Sequence, residues 1–226
     1  SGDIEEAIRF ANKNIIHRAN RQPDLHGMAT TIVVASWDPE LDQLRVAHVG
    51  DSRLYRIRGR TIKQLTRDHS LLSDYERDFP FMTKEEKSRI PTNIVTRALG
   101  LKPDVEIDVL VDEPRAEDVY LLCSDGLSGM LSDQQILDRV KASLDMPTVA
   151  RRLVDHANAA GGADNITVLL VKFTEDGEAK RLGNPQTWPD EAPTKNVSKA
   201  EGFPWFPIAV GAGLGLIAGL AMARWR

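Results

Sequence analysis

Residues 44–65 read LRVAHVGDSRLYRIRGRTIKQL. Three short runs rich in aliphatic side chains, 44–49, 53–58 and 61–65, are separated by Gly50-Asp51 and Gly59-Arg60. Both dipeptides are turn signals, and runs this short joined by turns this tight predict an antiparallel meander. Just upstream, TTIVVA at 30–35 is β-branched on both faces and predicts a strand buried on both sides. Further upstream, Ile4, Ala7, Ile8, Ala11, Ile15 and Ala19 recur at helical spacing, with Glu5, Glu6, Arg9, Lys13 and Arg18 on the other face. That amphipathic helix ends near Asn20, before Pro23 and Gly27.

Downstream of the meander, residues 70–89 are charged and helical in pattern, interrupted at Pro80, with Thr83 and Glu86 spaced as a capping box. Two short exposed helices are expected there. Strands at 105–111 and 119–123 precede a helix opened by Asp133, which should bury Ile136, Leu137, Val140 and Leu144. A second helix opened by Pro147 should bury Val149, Ala150, Leu153, Val154 and Ala157, and a strand at 166–173 closes the domain. The fold class is α+β: a mainly antiparallel sheet system covered by helices, since tight turns between neighbouring strands disfavour a parallel doubly wound fold.

The chain has 226 residues, 42% hydrophobic and 27% charged, which excludes a fully disordered or collagen-like polypeptide. Lys and Arg number 29 against 33 Asp and Glu, so no basic field exists to hold a phosphate backbone and nucleic acid is not expected as a partner. Cys123 is the single cysteine, which excludes an intramolecular disulfide and a cysteine-based zinc site and fits a reducing compartment. Ser1 is not preceded by Met, as expected of a processed product or a fragment.

After residue 173 the composition changes. Residues 174–202 carry Pro185, Pro189, Pro193 and many charges but few large aliphatic side chains, and are expected to be a disordered linker. Residues 203–223 contain no charge, and 21 residues at about 1.5 Å rise span roughly 31 Å, the thickness of a hydrocarbon core. A transmembrane helix is expected, with Trp205, Phe206 and Trp225 at its ends and Gly211, Gly215 and Gly219 at small-xxx-small spacing. Three residues follow the span, so the expected arrangement is a single-pass, tail-anchored membrane protein with its domain facing the cytoplasm. Lys195 and Lys199 balance Arg224 and Arg226, so charge bias does not set the orientation.

Asp125 follows the apolar run 119–123, and Asp164 precedes the run that starts at Ile166. In an antiparallel pairing of these two strands the carboxylates share one edge, and Asp51, after the strand ending at Val49, joins the same rim. Three carboxylates at strand ends suit a hard divalent cation such as Mg²⁺ or Mn²⁺. Asp beside Gly or Asn also serves ordinary turns, so each motif alone means little. At Asp125-Gly126, however, residues 127–131 lead to a helix start at Ser132-Asp133 and not to a returning strand, so a simple hairpin turn is a poor account.

Six ordered segments, GMATT (27–31), VAHVGDSR (46–53), LTRDHS (65–70), NIVTRALG (93–100), YLLCSDGL (120–127) and GADNIT (162–167), resemble those of the metal-dependent type 2C (PPM) protein serine/threonine phosphatases, bacterial type. The resemblance covers residues 1–173 and implies an α-β-β-α sandwich with two antiparallel sheets face to face. It implies a hydrolase that removes phosphate from phosphoserine and phosphothreonine through water activated between two divalent metals, Mg²⁺ or Mn²⁺. By resemblance Asp125 and Asp164 match ligands of one metal, and Asp51 matches an acidic position of a further, weaker metal site. Residues 70–97 match the flap beside the active site. Expected partners are phosphorylated cytoplasmic proteins, a cognate Ser/Thr kinase and, through the C-terminal span, the membrane.

The family's opening strands, with a phosphate-binding Arg, a Glu-Asp pair and an Asp-Gly-x-Gly-Gly segment whose Asp bridges both metals, have no counterpart in the sequence. The chain alone is therefore expected to bind metal weakly, and N-terminal truncation of an active phosphatase is the expectation. The alternative is a catalytically inactive phosphoprotein-binding or scaffold domain at the membrane. Retention of Asp125 and Asp164 favours the enzyme. No catalytic side chain is assigned: His17, His26, His48, His69 and His156 show no metal-ligand spacing, Ser124 has no nearby base, and Cys123 lies inside an apolar strand where a thiolate is disfavoured.

Overall fold

The structure is a computed structural model that describes residues 3–143, 145–174 and 217–224. Its helices are α1 (Asp3–Arg21), α2 (Leu71–Asp78), α3 (Lys84–Ser88), α4 (Asp125–Ser128), α5 (Asp133–Lys141) and α6 (Met146–Ala159). Its strands are β1 (Ala29–Asp38), β2 (Gln43–Val49), β3 (Arg53–Arg58), β4 (Thr61–Gln64), β5 (Asp108–Asp112), β6 (Val119–Cys123), β7 (Val168–Lys172) and β8 (Ile217–Arg224). The strands form two sheets of order β5-β2-β1-β8 and β4-β3-β6-β7. Every ladder between them is antiparallel.

Alternation of side chains along the strands divides the core into layers. On β6, Tyr120 and Leu122 face the other sheet and pack with Val33, Val46 and Leu54. Val119, Leu121 and Cys123 face the opposite way and pack with Leu127, Ile136 and Leu153 from the helices. The outer face of the other sheet, with Val34, Ala47 and Val49, is covered by Ile8 of α1. The order of layers is helix, sheet, sheet, helix, as the resemblance implies, and all five residues of β6 are buried because both of its faces are covered.

The predicted helix pair in 70–89 is present. Ser70 caps α2, and Thr83 and Glu86 complete a capping box on α3. α5 buries Ile136, Leu137 and Val140, while α6 buries Met146, Val149, Leu153 and Ala157 but leaves Ala150 and Val154 only partly covered. Leu144 lies outside the described residues.

Two strands are shorter than expected, for the same physical reason: side chains satisfy backbone groups that a ladder would otherwise use. β5 starts at Asp108 and not at Val105, because α1 reaches over the preceding segment. Arg9 donates to the Val105 carbonyl at 3.1 Å and Asn12 to those of Lys102 and Pro103 at 2.9 and 3.0 Å. β7 starts at Val168 and not at Ile166, because the Ser124 hydroxyl serves Asn165 and Thr167.

The expectation of a transmembrane helix over 203–223 finds no support at its C-terminal end. Residues Ile217–Arg224 form a strand paired along β1 from Ala29 to Ser36. The free edge of β1 offers unpaired N–H and C=O groups, and an uncharged segment can satisfy them by strand addition as readily as its own groups are satisfied by a helix. Among the described residues no helix is long and apolar enough to cross a membrane. Residues 203–216 and, beyond Thr174, the expected linker lie outside the described residues.

Candidate metal centre

Register places the acidic residues. Arg53 of β3 stands opposite Cys123 of β6, and Cys123 stands opposite Val168 of β7. Asp51, two residues before Arg53, Asp125, two residues after Cys123, and Asp164, four residues before Val168, therefore leave the sheet at the same edge.

Between the segments that carry Asp125 and Asp164 the contact is direct. The Ser124 hydroxyl donates to the Asn165 carbonyl at 2.9 Å and accepts from the Thr167 N–H at 3.0 Å, while the Ser124 N–H donates to the Thr167 carbonyl at 3.2 Å. Gly126 is buried against this segment. A methyl group on it would lie 2.9 Å from the Asn165 carbonyl carbon and 3.2 Å from the Asp164 oxygen, with the Asn165 oxygen closer still. Glycine here is a matter of space, because it lets the helix that begins at Asp125 approach the backbone that carries Asp164. That helix, α4, is a single turn closed by the Gly129 N–H on the Asp125 carbonyl at 2.7 Å, and its shortness hid it from the sequence pattern. Asp164 also folds back on its own chain, accepting the Asn165 N–H at 2.7 Å.

Asp51 is buried at 8% exposure in the turn between β2 and β3. Gly50 takes a φ of +109°, and the Thr31 side chain fills the space a Cβ would need. The Thr31 and Ser52 hydroxyls share a hydrogen bond of 2.9 Å. Next along the chain, Arg53 grips both oxygens of Asp68, at 2.7 to 3.1 Å, and donates to the Tyr55 hydroxyl at 2.8 Å. Two segments that match the family, VAHVGDSR and LTRDHS, are thus tied to each other by a bidentate ion pair.

A second polar cluster stands behind the Asp51 turn. Ligand-type atoms of His48, His69 and Asp108 lie within 4.8 Å of one another. The His rings stack with centroids 4.7 Å apart. The Gly50 N–H donates to His69 Nδ1 at 3.1 Å, which leaves the proton of the neutral ring on Nε2, 3.2 Å from Asp108 Oδ2. Arg97 binds Asp108 at 2.8 Å, so a cation already stands beside this carboxylate. Both His69 nitrogens are therefore committed, and the group is a hydrogen-bonded relay in preference to a metal ligand set. Burial pushes the pKa of both histidines down. Burial opposes ionisation of Asp108 too, but its contacts with His69 and Arg97 outweigh that and hold its carboxyl below the usual range. No sequence signal joined these four residues, which come from four separate segments.

The remaining sequence expectations resolve simply. Cys123 is fully buried in the helix-facing core, where burial pushes its thiol up to about 12. His17, His26 and His156 are exposed. A cleft of about 430 Å³ opens at the other end of the sandwich, where Ile57 pairs with Val119, and is lined by Arg56, Arg58 and Arg115 with Asp112 and Glu113. Asp112 and Asp118 engage Arg56 and Arg58 there in ion pairs of 2.6 Å.

Comparison with known proteins agrees with this architecture. The family model for protein phosphatase 2C matches residues 3–166. The serine/threonine phosphatase stp of Listeria welshimeri is 38% identical over 169 residues, which cover 75% of this chain and 66% of that protein, so the chain spans just under two thirds of the relative's length. The crystal structure of the Mycobacterium tuberculosis serine/threonine phosphatase PstP superposes with a TM-score of 0.69 at 34% identity, covering 76% of this chain and 71% of that one. A structure of the PstP catalytic domain in complex with two manganese ions superposes at 0.65 with 34% identity, covering 75% and 71%. A family match over most of the sequence, on a four-layer sandwich that gathers Asp51, Asp125 and Asp164 at one edge, means that this chain belongs to the protein phosphatase 2C family.

Proposed function

We propose that the chain serves a metal-dependent protein serine/threonine phosphatase, hydrolysing phosphoserine and phosphothreonine on proteins with Mg²⁺ or Mn²⁺ as cofactor. The observation that carries this reading is the approach of the Asp125 and Asp164 segments across Gly126, with Asp51 at the same edge. The three carboxylates are hard oxygen donors of the kind Mg²⁺ and Mn²⁺ select, and the soft donor Cys123 faces the core as a thiol. When bound, such ions supply charge neutralisation for the phosphoryl oxygens and acidify the attacking water.

The chain's own residues provide the frame. Asp125 and Asp164 would hold one ion, and Ser124 and Gly126 fix the separation of the two segments. Asp51 would hold a further, weaker-bound ion from a turn locked by Thr31 and His69. Residues 70–97, which leave and rejoin the domain beside that turn, present the phosphorylated segment. Water adds to phosphorus as the ester bond to the Ser or Thr oxygen breaks, releasing the hydroxyl side chain and inorganic phosphate.

Membrane attachment belongs to the same proposal. Residues 203–223 are uncharged and long enough to span a bilayer, and a cytoplasmic domain held there would act on phosphoproteins made by a membrane-associated kinase. Insertion would require residues 217–224 to leave the edge of β1.

The test is hydrolysis of a phosphothreonine peptide by the full-length protein with Mn²⁺, Mg²⁺ or chelator. Turnover should require the metal, and Asp125→Asn or Asp164→Asn should remove most of it; equal rates in chelator would overturn the assignment. Phosphopeptide binding without turnover in any metal would favour a binding domain. Deleting residues 203–226 should release the protein from the membrane fraction, and retention there would refute the anchor.

A further inference from the structure

The phosphatase reading leaves the cluster of buried His48 and His69 with the partly exposed Arg97 and Asp108 without a task. We propose that His69 is the positioning residue for the Asp51 carboxylate, holding the turn that carries it and joining that turn to the base of the 70–97 segment. The proposal rests on the reading of Asp51 as a metal ligand.

His69 makes two bonds to one residue. Its main-chain N–H donates to the Gly50 carbonyl at 3.0 Å, and its Nδ1 accepts the Gly50 N–H at 3.1 Å. Both polar groups of the residue before Asp51 are thus held by a single neighbour. The position is not easily relieved, because Gly50 takes a left-handed φ of +109° and Thr31 closes the space beside it. On its other side, the His69 carbonyl accepts the Thr96 N–H at 2.8 Å. Ser70 pairs with Val95 as an isolated bridge, and the Leu71 N–H donates to the Ile94 carbonyl at 2.9 Å. The segment that starts at Ser70 and returns by Arg97 therefore closes at His69, within two bonds of Asp51.

The ring can do this in one protonation state only. Nδ1 must offer a lone pair to Gly50, so Nε2 carries the proton and points it at Asp108, which Arg97 holds in place at 2.8 Å. Behind it, His48 Nε2 donates to the Arg67 carbonyl at 2.8 Å and its ring stacks on His69, preventing rotation. Burial pushes the His69 pKa down, consistent with Nδ1 as an acceptor.

Two polar variants of the full chain separate the two ring nitrogens. His69→Asn places its amide where Nδ1 stands and can still accept from Gly50. His69→Gln places its amide where Nε2 stands, which keeps a donor for Asp108 and abandons Gly50. The readouts are the Gly50 amide exchange rate by NMR without metal, and Mn²⁺ binding followed by the EPR signal of the free ion. Losing one hydrogen bond of this kind should speed Gly50 exchange and weaken the Asp51-dependent Mn²⁺ site by about tenfold each in H69Q. The H69N variant should stay close to wild type in both. Equal behaviour of H69Q and wild type, or equal loss in both variants, would overturn the proposal. Mn²⁺ binding that Asp51→Asn leaves unchanged would overturn the ligand reading on which it rests, and that failure is separable because Gly50 exchange reports the clamp with no metal present.

Discussion

Replacing Gly126 with alanine probes the contact on which the proposed metal centre depends. Residue 126 is in a short helix with no left-handed φ, so by backbone preference alone alanine should stabilise it by up to about 1 kcal/mol. The added methyl, however, would stand 2.9 Å from the Asn165 carbonyl carbon, where ordinary contact begins near 3.4 Å. The segment carrying Asp164 must retreat by at least about 0.5 Å, and its neighbour Asn165 is tethered to Ser124 through a 2.9 Å bond that resists the move. Overpacking of this kind costs about 1–3 kcal/mol, which for a domain of this size lowers Tm by roughly 2–12 °C. A shift that is large compared with the ~0.2 Å tolerance of metal–ligand distances should weaken Mn²⁺ binding by about tenfold or more. Thermal unfolding and a Mn²⁺ titration of the same sample measure both effects. Unchanged Tm and unchanged Mn²⁺ affinity in Gly126→Ala would refute the reasoning, since the two acidic segments would then tolerate separation.

The buried histidines predict a pH dependence of stability. Their folded-state pKa values lie below the ordinary 6.5, mainly through burial, so the unfolded chain takes up protons first as pH falls. Stability is then complete above 6.5 and is lost progressively below it. His48→Gln keeps a donor for the Arg67 carbonyl and cannot titrate, so its Tm should fall less steeply than wild type from pH 7 downward; parallel curves would exclude His48 as a contributor. At the far end of the sandwich, Asp118 is 1% exposed and accepts three hydrogen bonds from Arg58. Arg58→Ala removes that carboxylate's cation while the Arg115 N–H still donates to it at 2.8 Å, and should cost about 2–3 kcal/mol in urea unfolding, of which adding Asp118→Asn should recover part. No recovery in the double variant would show that the loss comes from packing and not from the charge.

How much of the site was legible depends on the distance over which the cause acts. Asp51, Asp125 and Asp164 stood out because each sits beside glycine or asparagine at the end of an apolar run, and pairing parity alone sends strand ends to one edge. The relay of His48, His69, Arg97 and Asp108 carries no such mark. Each member looks like a solitary polar residue until β2, β5 and the 65–70 segment are brought together. α4 was missed because one helical turn has no period to detect, and its limits come from the Ser124 and Asn165 contacts. The starts of β5 and β7 were misplaced because side chains from α1 and from Ser124 take over backbone groups that an isolated strand would offer to a neighbour.

Local pattern was sufficient for the meander, the Thr83–Glu86 capping box, the faces of α1, α5 and α6, and the antiparallel α+β class, because these follow from side-chain alternation, helical spacing and turn chemistry within a few residues. The uncharged stretch 203–223 shows the limit of that reasoning. Its composition satisfies a bilayer, yet residues 217–224 also satisfy the open edge of β1, since a backbone group needs a partner and is indifferent to whether helix or strand provides it. Which edge is open, which carboxylates meet across a missing side chain, and which histidine holds the turn at Asp51 are decided by contacts between segments tens of residues apart, and only the packed tertiary structure creates those contacts.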